Sequence, residues 1–263
     1  MTRPFKTLLL VLALASAGAC TGEKSESTDK DLIDGILSRA NNKSEVLRDQ
    51  TVGSVFMDQT MKYSVYLPGG YSAEKSYPFL YLLHGAGGNQ NSWLDDGTAQ
   101  TIADNFLKRD SAVPFVIIMP DGQMTFFQGD WERYFHEELI PLVEASYSCN
   151  GKRAIAGLSM GGYGTLYHAL YYPGKFLYAH AMSPAVFGDM SRPLSSGKTF
   201  PSFTLEVGTE DYVVDNSAAK SLYEAMEEAG VSCEWIERAG FHEWGFWRAC
   251  LPGTLEKAGS FFK

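Results

Sequence analysis

The sequence predicts an α/β domain built on a doubly wound, mostly parallel sheet with helices on both faces. Two observations carry that prediction. Short runs of strand formers, most of them apolar on both faces, alternate with segments of helical spacing. The chain has 263 residues, enough for one large domain with a sizeable core. Strands buried on both faces belong to parallel sheets covered by helices. Strand alternating with helix implies βαβ crossovers.

The elements follow in order. Asp31–Arg39 has the pattern of a short helix. Thr51–Phe56 and Met61–Leu67 read as a strand pair around a turn at Asp58-Gln59, with alternation in KYSVYL. After Pro68-Gly69-Gly70 the grammar changes. Phe79–Leu83, Phe115–Met119, Arg153–Ala156, Tyr178–Met182, Phe203–Val207 and Ser232–Ile236 are the predicted strands. Trp131–Tyr147 places Trp131, Phe135, Leu139, Leu142 and Val143 at helical spacing. Met160–Tyr172, Ser217–Ala229 and a segment from about Trp244 to Phe262 are the other predicted helices.

The first residues obey different rules. Arg3 and Lys6 precede the apolar run Leu8–Ala15, then come Ser16-Ala17-Gly18-Ala19 and Cys20. A charged start, short apolar core and small-residue end read as a signal peptide over residues 1–19. The run is too short for a membrane span. Ala-Gly-Ala-Cys resembles the lipobox of bacterial lipoproteins. That resemblance implies lipidation at Cys20 and a place in the bacterial cell envelope, or secretion. TGEKSESTDK, Thr21–Lys30, is polar and without periodicity, so residues 20–44 read as a tether with the short helix and residues 45–263 as the catalytic domain. Cys149, Cys233 and Cys250 remain, an odd number that leaves at least one free thiol. A bridge between Cys233 and Cys250 stays open, and the spacing matches no zinc site. The formal charge is -9, with no basic run after Lys6, which disfavours nucleic-acid binding.

Catalytic groups in doubly wound sheets collect at the carboxyl ends of the strands. Ala154–Leu158 leads into Gly157-Leu158-Ser159-Met160-Gly161 and then a helix. Strand, Gly-x-Ser-x-Gly, helix is the context of a nucleophile elbow, with Ser159 as the nucleophile. The flanking glycines allow close backbone approach, and the serine takes a strained geometry. A serine hydroxyl needs a base. His168 lies nine residues along the same helix, about 13 Å away at 1.5 Å per residue. His180 sits inside a strand, where packing or hydrogen bonding is its expected role. His242 follows the last predicted strand and is the expected base. Its orienting acid is expected in Gly208-Thr209-Glu210-Asp211, with Asp211 chosen and Glu210 and Asp215 as fallbacks. The order Ser, Asp, His is that of α/β-hydrolases. Met160 N–H is one expected oxyanion donor. The other is expected in His84-Gly85-Ala86-Gly87-Gly88, a glycine-rich loop without the lysine and Ser/Thr of a phosphate loop.

YLLHGAGG (Tyr81–Gly88), MPDG (Met119–Gly122), HEELIPLVEASY (His136–Tyr147), AGLSMGGYGT (Ala156–Thr165), VGTED (Val207–Asp211) and GFHEW (Gly240–Trp244) together resemble the esterase family of feruloyl and acetylxylan esterases, S-formylglutathione hydrolase and mycolyltransferases. The resemblance runs from about Gln50 to Lys263. It implies an α/β-hydrolase fold without a large lid, the residues Ser159, Asp211 and His242 in the roles above, and Met160 with Ala86 at the oxyanion. The segment Gln123–Trp131 departs from the family and is short and aromatic. Phe126, Phe127, Trp131 and Tyr134 could line the substrate site, or could equally be core.

The expected function is a serine carboxylesterase working through an acyl-enzyme, without metal or cofactor. Its substrate would be an ester of a small molecule or polysaccharide. The resemblance points to feruloyl or acetyl groups on plant polysaccharide. An acyltransferase, and a non-catalytic carbohydrate-binding lipoprotein on the same fold, are the alternatives. The membrane enters only through the anchor at Cys20.

Overall fold

The structure is a computed structural model that describes residues 43–263. The expected signal peptide, Cys20, the tether and the helix at Asp31–Arg39 lie outside the described residues.

Strands β1 (Glu45–Ser54) and β2 (Gln59–Leu67) form an antiparallel pair. The expected pairing is present, and β1 begins six residues earlier than its apolar pattern suggests. β3 (Tyr77–Leu83) is followed by α1 (Ser92–Asp95) and α2 (Ala99–Leu107), then β4 (Val116–Pro120). The sequence reading missed both helices. Yet α2 buries Ala99, Ala103 and Phe106, the i, i+4, i+7 stripe of a surface helix. The helical pattern at Trp131–Tyr147 is observed as α3 (Asp130–Arg133), a π turn (Tyr134–Leu139) and α4 (Ile140–Ser146). Pro141 explains the interruption: it has no N–H and its ring crowds the preceding turn, so the ladder widens just before it. β5 (Cys149–Leu158), α5 (Met160–Tyr171), β6 (Tyr178–Met182), β7 (Ser202–Gly208), α6 (Asn216–Glu228), β8 (Cys233–Arg238) and α7 (Trp244–Phe262) complete the chain. One turn of 3-10 helix, Arg192–Ser196, sits between β6 and β7. Among the described residues no inserted lid domain interrupts this order.

The sheet runs β1-β2-β4-β3-β5-β6-β7-β8, parallel from β4 to β8. Both faces are covered. Tyr81, Ile155 and Leu205 pack with Trp131, Leu166 and Met226 on one face. Leu80, Ile117 and Ala156 pack with Phe106, Leu251 and Leu255 on the other. Each buried leucine, isoleucine, methionine or phenylalanine among them contributes about 1.5–3 kcal/mol by leaving water. The chain order reverses at β3, which has β4 on one side and β5 on the other. The crevice outside the carboxyl ends of these strands is where open α/β sheets hold their ligands. This is the α/β-hydrolase fold.

The three described cysteines, Cys149, Cys233 and Cys250, are free thiols, so the bridge left open by the sequence is not made. No described helix is long and apolar enough to cross a membrane.

Candidate active site

The register β3–β5 pairs Leu83 with Gly157, so the loops after these strands start side by side. Ser159 directly follows β5, with φ 53° and ψ -115°, and precedes α5. That left-handed region is costly for a non-glycine residue and persists only where its surroundings fix it. Here the Ser159 N–H donates to Met182 O, and its carbonyl accepts from Tyr163 and Ala185 N–H. The expected glycine roles are visible. A Cβ on Gly157 would overlap the Gly161 carbonyl, and one on Gly161 would lie 2.5 Å from the Leu83 and His84 carbonyl oxygens.

Ser159 Oγ lies 2.9 Å from His242 Nε2. His242 Nδ1 lies 2.7 Å from Asp211 Oδ2. Asp211 comes from the turn after β7 and His242 from the loop after β8, so three strand ends supply the three groups. Asp211 is buried, and its other oxygen accepts from Val213 and Val214 N–H at 2.9 and 3.3 Å. Burial pushes its carboxyl up, but hydrogen bonds from His242 and the two amides prevail and hold it below the ordinary value. An ionised Asp211 fixes His242 with its proton on Nδ1, leaving Nε2 to accept from the serine hydroxyl.

Met160 is the first residue of α5, where backbone N–H groups have no partner inside the helix and the dipole favours negative charge. Ala86 lies in the loop facing it. Ser159, His242 and Gly85–Asn89 share a cleft of about 520 Å³ with Ser92, Asp96, Val213, Trp244 and Trp247. His84 holds this loop from beneath. It is 1% exposed, its Nδ1 lies 2.7 Å from Gly85 O, and its Nε2 accepts from Gly122 N–H at 2.8 Å.

The chain matches the family model described as Putative esterase over residues 54–258. It belongs to that family. It is 32% identical over 218 residues to an endo-1,4-beta-xylanase/feruloyl esterase of Xylanibacter ruminicola, an alignment of 76% of this chain and 29% of the relative. It is 27% identical over 225 residues to an acetyl esterase of Caldicellulosiruptor saccharolyticus, covering 67% of this chain and 81% of that one. The chain thus matches under a third of the first relative's length. A solved ferulic acid esterase superposes with a TM-score of 0.74 at 25% identity, covering 84% of this chain and all of that one.

Within this esterase-family fold, the fallback acids have other partners. The Glu210 carboxylate accepts from Gly240 N–H, and Asp215 caps α6 through Ser217 N–H at 2.9 Å. His180 is buried against Thr254 and Glu206, and His168 against His136.

The aromatic expectation needs correction. Phe127, Trp131 and Tyr134 are each 0% exposed and belong to the core. Phe127 fills space that only Gly122 and Gly164 leave free. Trp131 stacks on Phe135 at 5.0 Å and donates to Asp121 O at 2.9 Å. Tyr134 packs on Trp131. Phe126 alone is half-buried, edge-on to Phe187 and Tyr163, and it does not line the cleft around Ser159. Trp244 and Trp247 line it instead. Their signal was in GFHEW and the residues after it: two tryptophans, two and five residues after His242.

Proposed function

We propose that this protein is a serine carboxylesterase. The continuous Ser159–His242–Asp211 hydrogen-bond chain, assembled from three strand ends, carries the reading. His242 takes the Ser159 proton as the oxygen attacks the ester carbonyl. Met160 and Ala86 N–H groups stabilise the developing oxyanion. The alcohol leaves with the proton from His242, and water then attacks the acyl-enzyme with His242 again as base. The substrate is proposed to be a feruloyl or acetyl ester of plant polysaccharide, supported by the activities of the relatives and by a cleft lined by the aromatic Trp244 as well as the polar Asn89 and Asp96. Hydrolysis of p-nitrophenyl acetate, methyl ferulate and acetylated xylan tests this. Ser159→Ala should abolish turnover with the fold intact; a variant as fast as wild type overturns the mechanism. A preference for long acyl chains overturns the substrate.

We propose that residues 1–19 are removed and that Cys20 carries the lipid. Cys20→Ser should move the protein from the membrane fraction to the soluble one, and an unchanged distribution counts against the anchor.

A further inference from the structure

The loop bearing His242 leaves β8 at Arg238 and enters α7 at Trp244. It is mostly exposed, and Gly240 within it has φ 155°. Glycine is the residue least able to hold a loop by its own backbone preference. Something else must fix the direction in which His242 leaves it.

The neighbouring loop does so through one residue. Glu210 N–H donates to Gly240 O at 3.1 Å. The Glu210 carboxylate in turn accepts from Gly240 N–H. Gly240 is therefore held at both of its polar backbone atoms by Glu210. Thr209 N–H donating to Arg238 O at 2.9 Å adds a rung below. The contact is tight: a Cβ on Gly208 would overlap the Gly240 carbonyl, and a Cβ on Gly240 would meet the Phe246 ring at 2.8 Å. Glu210 is also the residue directly before Asp211. One short segment thus orients the acid and clamps the backbone two residues before the base.

We propose that Glu210 is a positioning residue for the base, acting through Gly240 and not through its charge on the reaction. The proposal rests on the Ser159–His242–Asp211 reading. An acceptor oxygen on the Gly240 N–H fixes the backbone from which His242 projects, and reactivity depends steeply on ångström-scale placement of such groups.

Two variants separate positioning from stability and from charge. Glu210→Ala removes the acceptor. Glu210→Gln keeps an acceptor oxygen and removes the charge. With p-nitrophenyl acetate, Glu210→Ala should lower kcat roughly ten- to a hundredfold with KM nearly unchanged, while Glu210→Gln recovers most of it. The downfield proton resonance of His242 Nδ1–H reads the same geometry without any turnover. It should be present in wild type and Glu210→Gln and broadened or lost in Glu210→Ala. An Ala variant with wild-type kcat, or one that keeps that resonance sharp, overturns the proposal. So does a Gln variant as impaired as Ala, because charge would then be the cause. Failure of the underlying esterase reading shows separately, as a wild type that turns over no ester or a Ser159→Ala protein that still does.

Discussion

At the residue scale, Asp211 is distinguished from its neighbours by what its two oxygens do. One accepts a hydrogen bond from His242 Nδ1–H, and the other is committed to Val213 and Val214 N–H. An asparagine here keeps one carbonyl oxygen, and the two backbone donors claim it. Its NH₂ then faces His242 Nδ1, which must become an acceptor, so Nε2 acquires the proton and can no longer take one from Ser159. Asp211→Asn should therefore lower kcat about a thousand- to ten-thousandfold, the size expected for a wrong tautomer, with the thermal midpoint little changed. Steady-state kinetics beside a thermal melt checks this, and activity within tenfold of wild type would remove Asp211 from the mechanism. The aromatic residues show the opposite lesson. A phenylalanine or tryptophan suits a core and a site equally well, and nothing in QMTFFQGDW tells Phe126 from Phe127. Only the folded loop tells them apart: both have positive φ, 53° and 60°, and the second ring is fully buried while the first is half-buried.

At the element scale, the elbow depends on space between backbones. Gly161 faces the carbonyls of Leu83 and His84, at the point where β3 gives way to the loop bearing Ala86. Gly161→Ala should push those segments apart. Overpacking of this kind costs about 1–3 kcal/mol, and here it also displaces one of the two proposed oxyanion donors. A urea melt together with the rate of fluorophosphonate labelling at Ser159 should show both losses; labelling at the wild-type rate would mean that the contact yields freely. This part of the site was legible because strand, glycines, serine and helix are contiguous in sequence, so their spacing states their geometry. The six strands from β3 to β8 were legible for the same reason, as local apolar runs. What brings Asp211 to His242 is not local: β7 and β8 lie side by side, and their loops are zipped by Thr209, Glu210 and Gly240. Sequence placed candidates in each loop and favoured Asp211, but the adjacent Glu210 stayed open as a fallback because local pattern does not show which carboxylate meets His242. Nor could it reveal that Glu210 holds the backbone of the other loop. The α2 stripe, by contrast, was present in the sequence and went unread beside the stronger strand patterns.

At the scale of the whole molecule, buried titratable groups tie stability to pH. His136 and His168 are paired at 3.0 Å between the π turn and α5, with the Tyr172 ring stacked 3.8 Å from His136. Burial, with Lys175 and Arg153 nearby, pushes His136 down to about 3. Burial and the neighbouring His136 push His168 well below its ordinary value. In the unfolded chain both return to about 6.5. The unfolded state thus binds more protons than the native state below that pH, so stability is full above about 6.5 and falls as pH drops toward 3. Each group contributes a slope approaching 1.4 kcal/mol per pH unit across that window. Glu206 adds to it lower down. Burial raises its carboxyl, but His180 and Arg238 outweigh burial and hold it at about 2. Its share is present above the ordinary carboxylate value and is lost as pH falls from about 4.5 to 2. Urea unfolding at pH 7.0, 5.5 and 4.5 should therefore show a steepening loss of stability before Glu206 begins to titrate. His136→Gln keeps a polar partner for His168 and removes one titrating group, so its slope between pH 6 and 4.5 should be shallower by about one proton. An equal slope in the variant and wild type would mean that the acid sensitivity arises elsewhere in the fold.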